Sequence, residues 1–192
     1  MLASENTLDI VNHGGLDFAI IAVRCCKARP IMVGLAARLC HVIMVKNPET
    51  RTLCVARNLH LFLFERLAEH SAHSILLEEA LRSLKTMTFR APSVRRDLLG
   101  LGVLSNVCDL LHQHRDAVHI VSIGLSLLCN LTCNIGQESE DEDIVVMGQT
   151  TEEPDGYKLS DVRVVPFVMA AVIQHQVTFM LCSDTFFSLC LF

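Results

Sequence analysis

Apolar residues recur along this chain at the spacing of helices rather than strands. Val103, Leu104, Val107, Leu110 and Leu111 fall on one face of a helical projection, and Ile120, Ile123, Gly124, Leu127, Leu128 and Leu131 fall on another. Steps of three and four of this kind predict two amphipathic α-helices in succession. Asp116 stands before the second of them, where a side-chain oxygen can cap the first turn. Upstream, a shorter piece from Ser93 to Leu99 follows Pro92 and is broken by Gly100 and Gly102. Proline suits a first helical turn, and glycine tolerates the positive φ of a sharp bend. The unit so predicted is a short helix, a glycine break and two longer helices.

The same unit recurs. Gly15-Leu16, Asn58-Leu59 and Gly102-Val103 are separated by steps of 43 and 44, as are Ala37, Ala80 and Gly124, and Met44, Met87 and Leu131. Pro48 maps onto Pro92 at 44, in the breaks Asn47-Pro48-Glu49 and Ala91-Pro92-Ser93. A fixed period of this length marks a stacked repeat, in which each unit buries its apolar face against its neighbours. The small residue at Ala37, Ala80 and Gly124 is expected to admit a neighbouring helix closely. Projected backwards, the period places Met1 at the end of a preceding third helix. Val177 to Phe192 loses the pattern and puts Phe179, Phe186, Phe187 and Phe192 where small residues are expected. That tail reads as a divergent capping helix or as the foreign end of a truncated product. Either way the expectation is an incomplete array, a fragment or truncated isoform of a longer protein, whose exposed apolar ends favour self-association.

Composition refines this picture. The chain is half apolar, with no Trp and one Tyr, and its nine cysteines contain no C-x-x-C pair. Most of them sit on apolar helix faces and are read as reduced, buried small hydrophobes of a cytoplasmic or nuclear protein. Met1 to Asn12 lacks the organisation of a secretory signal, and the densest apolar run, Val164 to Ile173, is too short to span a bilayer. The net charge of −5 is unevenly spread, for Gln137 to Asp161 holds nine acidic residues and one Lys, leaving +3 on the remainder. That stretch has no apolar period and reads as a solvated insert. Three regions follow: repeats over 1–136, an acidic insert over 137–161, and a partial fourth repeat with a divergent apolar tail over 162–192. Ser139, between Glu138 and Glu140, is a candidate phosphorylation site for an acid-directed kinase.

A unit of this length and grammar resembles the armadillo repeat. Leu101-Gly102-Val103-Leu104-Ser105-Asn106-Val107-Cys108-Asp109-Leu110-Leu111 resembles the family's Gly-Gly-Ile-Pro-x-Leu-Val-x-Leu-Leu entry to the second helix. Gly124-Leu125-Ser126-Leu127-Leu128-Cys129-Asn130-Leu131 resembles its Ala-x-x-Ala-Leu-x-Asn-Leu third helix, and Val164-Val165-Pro166-Phe167-Val168 repeats the second-helix entry. The likeness covers roughly residues 1 to 136 and 162 to 176. HEAT repeats, the nearest competitor, have two helices and no use for the short first piece. The resemblance implies an all-α fold, a right-handed α-α superhelix of about three full repeats plus a partial fourth.

It also implies a protein-binding groove lined by the third helices. The family's groove asparagine falls on Asn130, with Thr86 and Ile43 in the other units; its groove tryptophan falls on Ser126, Arg82 and Leu39. Without tryptophan, a reader of basic nuclear-localisation peptides would lack the walls that hold lysine stems. Glu79, Arg82, Thr86, Ser122, Ser126 and Asn130 are the groove-facing candidates. The expected partner is an extended or helical segment of another protein, with no nucleic acid, no cofactor and no metal. Two alternatives are a structural component of a cytoskeletal or ciliary assembly, and a regulatory fragment of a longer relative. Enzymatic chemistry is not expected. Gly100-x-Gly102 lacks the third glycine of a dinucleotide fingerprint, no Gly-x-Ser-x-Gly is present, and Asp109, His112 and His114 spread around a helix. His41, His60, His70, His73, His119 and His175 read as surface or interface residues, and the dispersed basic residues lack interleaved aromatics for stacking on nucleic acid.

Overall fold

The structure is a computed structural model and describes residues 4–132, which fold as nine α-helices with no strand among them. They succeed one another as α1 Ser4–Asn12, α2 Gly15–Cys25, α3 Pro30–Lys46, α4 Glu49–Ala56, α5 Leu59–Glu69, α6 Ser74–Thr88, α7 Pro92–Gly100, α8 Val103–Gln113 and α9 Val118–Thr132. The short-long-long order predicted for one unit therefore occurs three times. Described residues up to Leu131 belong to one compact unit. The acidic stretch, Ser139 and the region 162–192 lie outside the described residues.

Punctuation explains the boundaries. Pro30 and Pro92 sit in the first turns of α3 and α7, where a missing N–H costs nothing. Gly14, Asn58 and Gly102 precede α2, α5 and α8 with φ of 78°, 58° and 75°. Only glycine and, less readily, asparagine adopt that left-handed conformation without a large steric cost. The first landmark is thus Gly14, one residue earlier than the sequence alignment placed it. Gly15 is constrained in another way: a Cβ there would lie 2.8 Å from the Ile10 carbonyl oxygen. At α9, Ala117 rather than Asp116 holds the N-cap position, because its carbonyl accepts the first-turn bond from Val121.

With that correction the step is constant. The second helices begin at Gly15, Leu59 and Val103, and the third helices at Pro30, Ser74 and Val118, each 44 apart. Burial agrees with the new register: Ile43, Met87 and Leu131 are all fully buried, as are Ala37 and Leu81. The small-residue position therefore becomes Ala36, Ala80 and Gly124. At Gly124 the close approach is real, since an added Cβ would crowd the Leu111 side chain, with Cδ1 at 3.0 Å. Gly34 is a second such point, where a Cβ would stand 3.1 Å from the Leu76 backbone, so α3 and α6 touch almost main chain to main chain.

The first triplet packs on the second through its long helices, α3 against α6 most extensively and α2 against α5, and α5 and α6 in turn both meet α7. Side chains tie the helices together both within a triplet and between triplets. Asn47 donates to Thr7 Oγ1 at 3.0 Å, Arg57 pairs with Asp17, and Arg51 donates to the Phe89 carbonyl at 3.0 Å. At the corners joining second to third helices the pattern is periodic. His70, C-cap of α5, bonds the Lys27 carbonyl at 2.6 Å through Nε2, and His114, C-cap of α8, bonds the Ser71 carbonyl at 2.6 Å. Each ring must donate, because a carbonyl only accepts. His70, read from sequence as a surface or interface residue, and His114, which that reading left out, thus make one rung per corner. Cys40, Cys54 and Cys108 are buried as expected, whereas Cys25 is exposed and Cys26 and Cys129 are partly exposed.

Candidate functional site

The surface carried by the third helices is built from their shared direction. Gly34 meets Leu76, Arg38 Nε lies 3.9 Å from Glu79 Oε1, and His41 Nδ1 lies 3.1 Å from Thr86 Oγ1. Because these pairs advance together along both helices, α3 and α6 run parallel, side by side. Ser83 Oγ donates to the Ala37 carbonyl at 3.0 Å beneath them. Asn130 Nδ2 donates to the Lys85 carbonyl at 3.0 Å, joining α9 to α6 in the same sense.

The six sequence candidates all lie on α6 or α9 and are partly exposed. Glu79 stands beside Arg38, and burial, outweighing the nearby Arg82 and Arg38, raises its carboxyl pKa. Arg82 pairs with Glu78 at 2.6 Å, while its Nε is buried without a hydrogen-bond partner among the described residues. Thr86 donates to the Arg82 carbonyl at 3.1 Å and so accepts from His41, which places the imidazole proton on Nδ1. Burial first, then the charges of Arg82 and Lys85, lower the His41 pKa. Ser126 donates to the Ser122 carbonyl at 2.9 Å, one turn earlier in α9. Asn130 uses its amide on a carbonyl in the last turn of α6, one of the four that a helix leaves without an internal donor.

Register changes the first triplet's share. With a step of 44, the residues of α3 equivalent to Arg82 and Thr86 are Arg38 and Val42, not Leu39 and Ile43. Ile43 has no exposed surface at all. Sequence reasoning therefore missed Arg38, His41 and Val42, and it missed Glu78 and Lys85 on α6. The signal that could have found Arg38 was its opposite charge to Glu79 at a near-repeat separation.

Toward the N-terminal ends of α3 and α6 the surface turns apolar, with Ile31, Leu35 and Ile75 each about half exposed. On the outer side α2 shows Phe18, 70% exposed, and Ile21, 57% exposed. Seven of the eleven exposed large apolar residues lie on α1 to α3, so apolar exposure is concentrated in the first triplet. Among the described residues no group of three His, Cys, Asp or Glu is placed to hold a metal ion, and no helix is long and apolar enough to cross a membrane. The chain matches no protein-family model, and comparison with curated proteins and with solved structures returns no match.

Proposed function

We propose that the chain is a stretch of armadillo-type solenoid whose work is to hold a segment of another protein across its third helices. The observation that carries this reading is the seam of hydrogen bonds one unit apart: Ser83 to Ala37, Thr86 with His41, and Asn130 to Lys85. Contacts that repeat at the unit step register identical elements side by side, and such a row presents partly exposed polar side chains at a regular pitch. Arg38, Glu79, Arg82, Thr86, Ser126 and Asn130 are then the residues that meet the ligand. The partner is a protein and the chain works in the cytoplasm or nucleus.

Photo-cross-linking tests this. A benzophenone amino acid at position 82 or 126 is expected to trap a partner protein in cells, while the same group at position 109, on the outer face of α8, traps none. With the probe at position 126, Arg82→Glu with Asn130→Ala abolishes the trapped species. Equal trapping at every position, or none from the third helices, counts against the reading. One observation favours a second reading, a structural component of a larger assembly: Phe18 and Ile21 are strongly exposed on the outer face of α2. Trapping from position 18 alone would select it.

A further inference from the structure

The exposed charge of the α3–α6 surface is not the sum of its residues. In the ion pair between α3 and α6 the cation is far the more exposed partner, Arg38 at 65% against 14% for Glu79, while within α6 Arg82 and Glu78 are exposed alike, at 40% and 34%. Lys85 adds a further exposed cation one turn beyond Arg82. The Glu79 carboxylate is thus largely covered and Glu78 is offset by Arg82, so the exposed Arg38 and Lys85 leave the balance of this surface positive. Burial is the first cause of the lowered His41 pKa, and the charges of Arg82 and Lys85 beside it lower it further. An arginine already touching one carboxylate keeps free N–H donors in its planar fork, so a second carboxylate can share it.

This cationic stretch adjoins the apolar one. The absent side chain of Gly34 brings Ile75 Cγ2 to 3.2 Å from where a Cβ would be, so Ile75 closes against the α3 turn that carries Ile31 and Leu35. From the N-terminal ends of these parallel helices toward Arg38, Arg82 and Lys85 the surface therefore reads apolar, then cationic, with Val45 apolar again at the end of α3.

Resting on the docking reading above, we infer that the partner segment is apolar and acidic in that order along the surface, with aliphatic or aromatic side chains on Ile31, Leu35 and Ile75 and Asp or Glu side chains on Arg38, Arg82 and Lys85. Apolar contact supplies the burial, and the charges fix register and direction, because the reversed segment would set its acids on apolar surface unpaired.

Selection of a displayed random peptide library on the purified full chain tests the ligand chemistry. The expected winners combine apolar residues with Asp or Glu on one flank, bind more weakly as salt rises, and lose roughly tenfold or more in affinity to Arg38→Glu/Arg82→Glu. Arg38→Gln/Lys85→Gln gives a smaller loss in the same direction and covers the case in which charge reversal unfolds the helices, monitored by circular dichroism. Winners that are basic or uncharged, and that are lost on Ile75→Asp but retained by the arginine variants, overturn this inference while leaving the docking surface in place. Winners that bind every variant equally, or no enrichment at all, overturn both.

Discussion

Single residues set the turns and the one oddity of the core. Gly102 adopts φ of 75° in open space, so steric conflict with neighbours plays no part in its selection. Gly102→Ala is expected to lower stability by roughly 1–2 kcal/mol, the cost of a left-handed conformation for a residue with a Cβ, measured by urea unfolding. No loss, or the gain that Gly→Ala gives inside an exposed helix, would contradict the assignment. Arg66 is the oddity, a guanidinium 1% exposed on α5. Nη2 reaches Glu65 at 3.0 Å, and Nη1 stands 2.5 Å from Glu69 at an angle that makes an ion pair without a hydrogen bond, while Nε has no partner among the described residues. A buried cation so incompletely matched contributes little net stability. The same position holds Ala22 in α2 and Leu110 in α8, both buried. Arg66→Leu is therefore expected to leave the urea midpoint unchanged or raise it, and a loss of about 3 kcal/mol or more would mean the pair is essential after all.

At the scale of elements, two helix seams each carry a proton-sensitive histidine, His41 between α3 and α6 and His60 between α5 and α7. His41 is held below the ordinary histidine value of 6.5 by burial and by Arg82 and Lys85, and His60 is held below it by burial despite its bond to Asp97 at 3.3 Å. Above pH 6.5 both rings are neutral whether the chain is folded or not. Below it the unfolded chain takes the protons first, so stability falls as pH drops from 6.5 toward the lower folded values. Glu79 works in the opposite sense. Its raised carboxyl disfavours the folded state at neutral pH, and that penalty is relieved as acid approaches 4.5. His41→Gln keeps a donor for Thr86 and should reduce the fall in urea midpoint between pH 6.5 and the acid range; identical pH profiles would exclude His41 as a contributor. The elements themselves were legible from sequence because proline, glycine and asparagine sit at their boundaries. The register of α3 was not. Ala36-Ala37 and Ile43-Met44 are pairs of similar residues, so a slip by one costs nothing in a pattern of apolar positions. Only packing separates them, and with the slip went Arg38 and His41.

Across the whole described array, the question is whether stability is transmitted from triplet to triplet or shared at once. The seams join neighbours: α2 and α3 to α5 and α6, and α5 and α6 to α7. If interactions are confined to neighbours, the middle triplet is the bridge through which the outer two support each other. Leu77 in α6 and Leu127 in α9 are both fully buried, and either Leu→Ala change should cost about 2–5 kcal/mol. Their reach should differ. Leu127→Ala is expected to speed amide exchange in α7 to α9 while α2 and α3 keep most of their protection. Leu77→Ala removes the shared wall and should expose the facing amides of α3 as well as α9. A closed globule would behave otherwise, since loss of either leucine would open one common core and deprotect α2, α3, α5, α6, α8 and α9 to the same degree. Hydrogen exchange resolved by fragment thus decides the architecture independently of any ligand, and a uniform response would remove the surface on which the binding proposal stands.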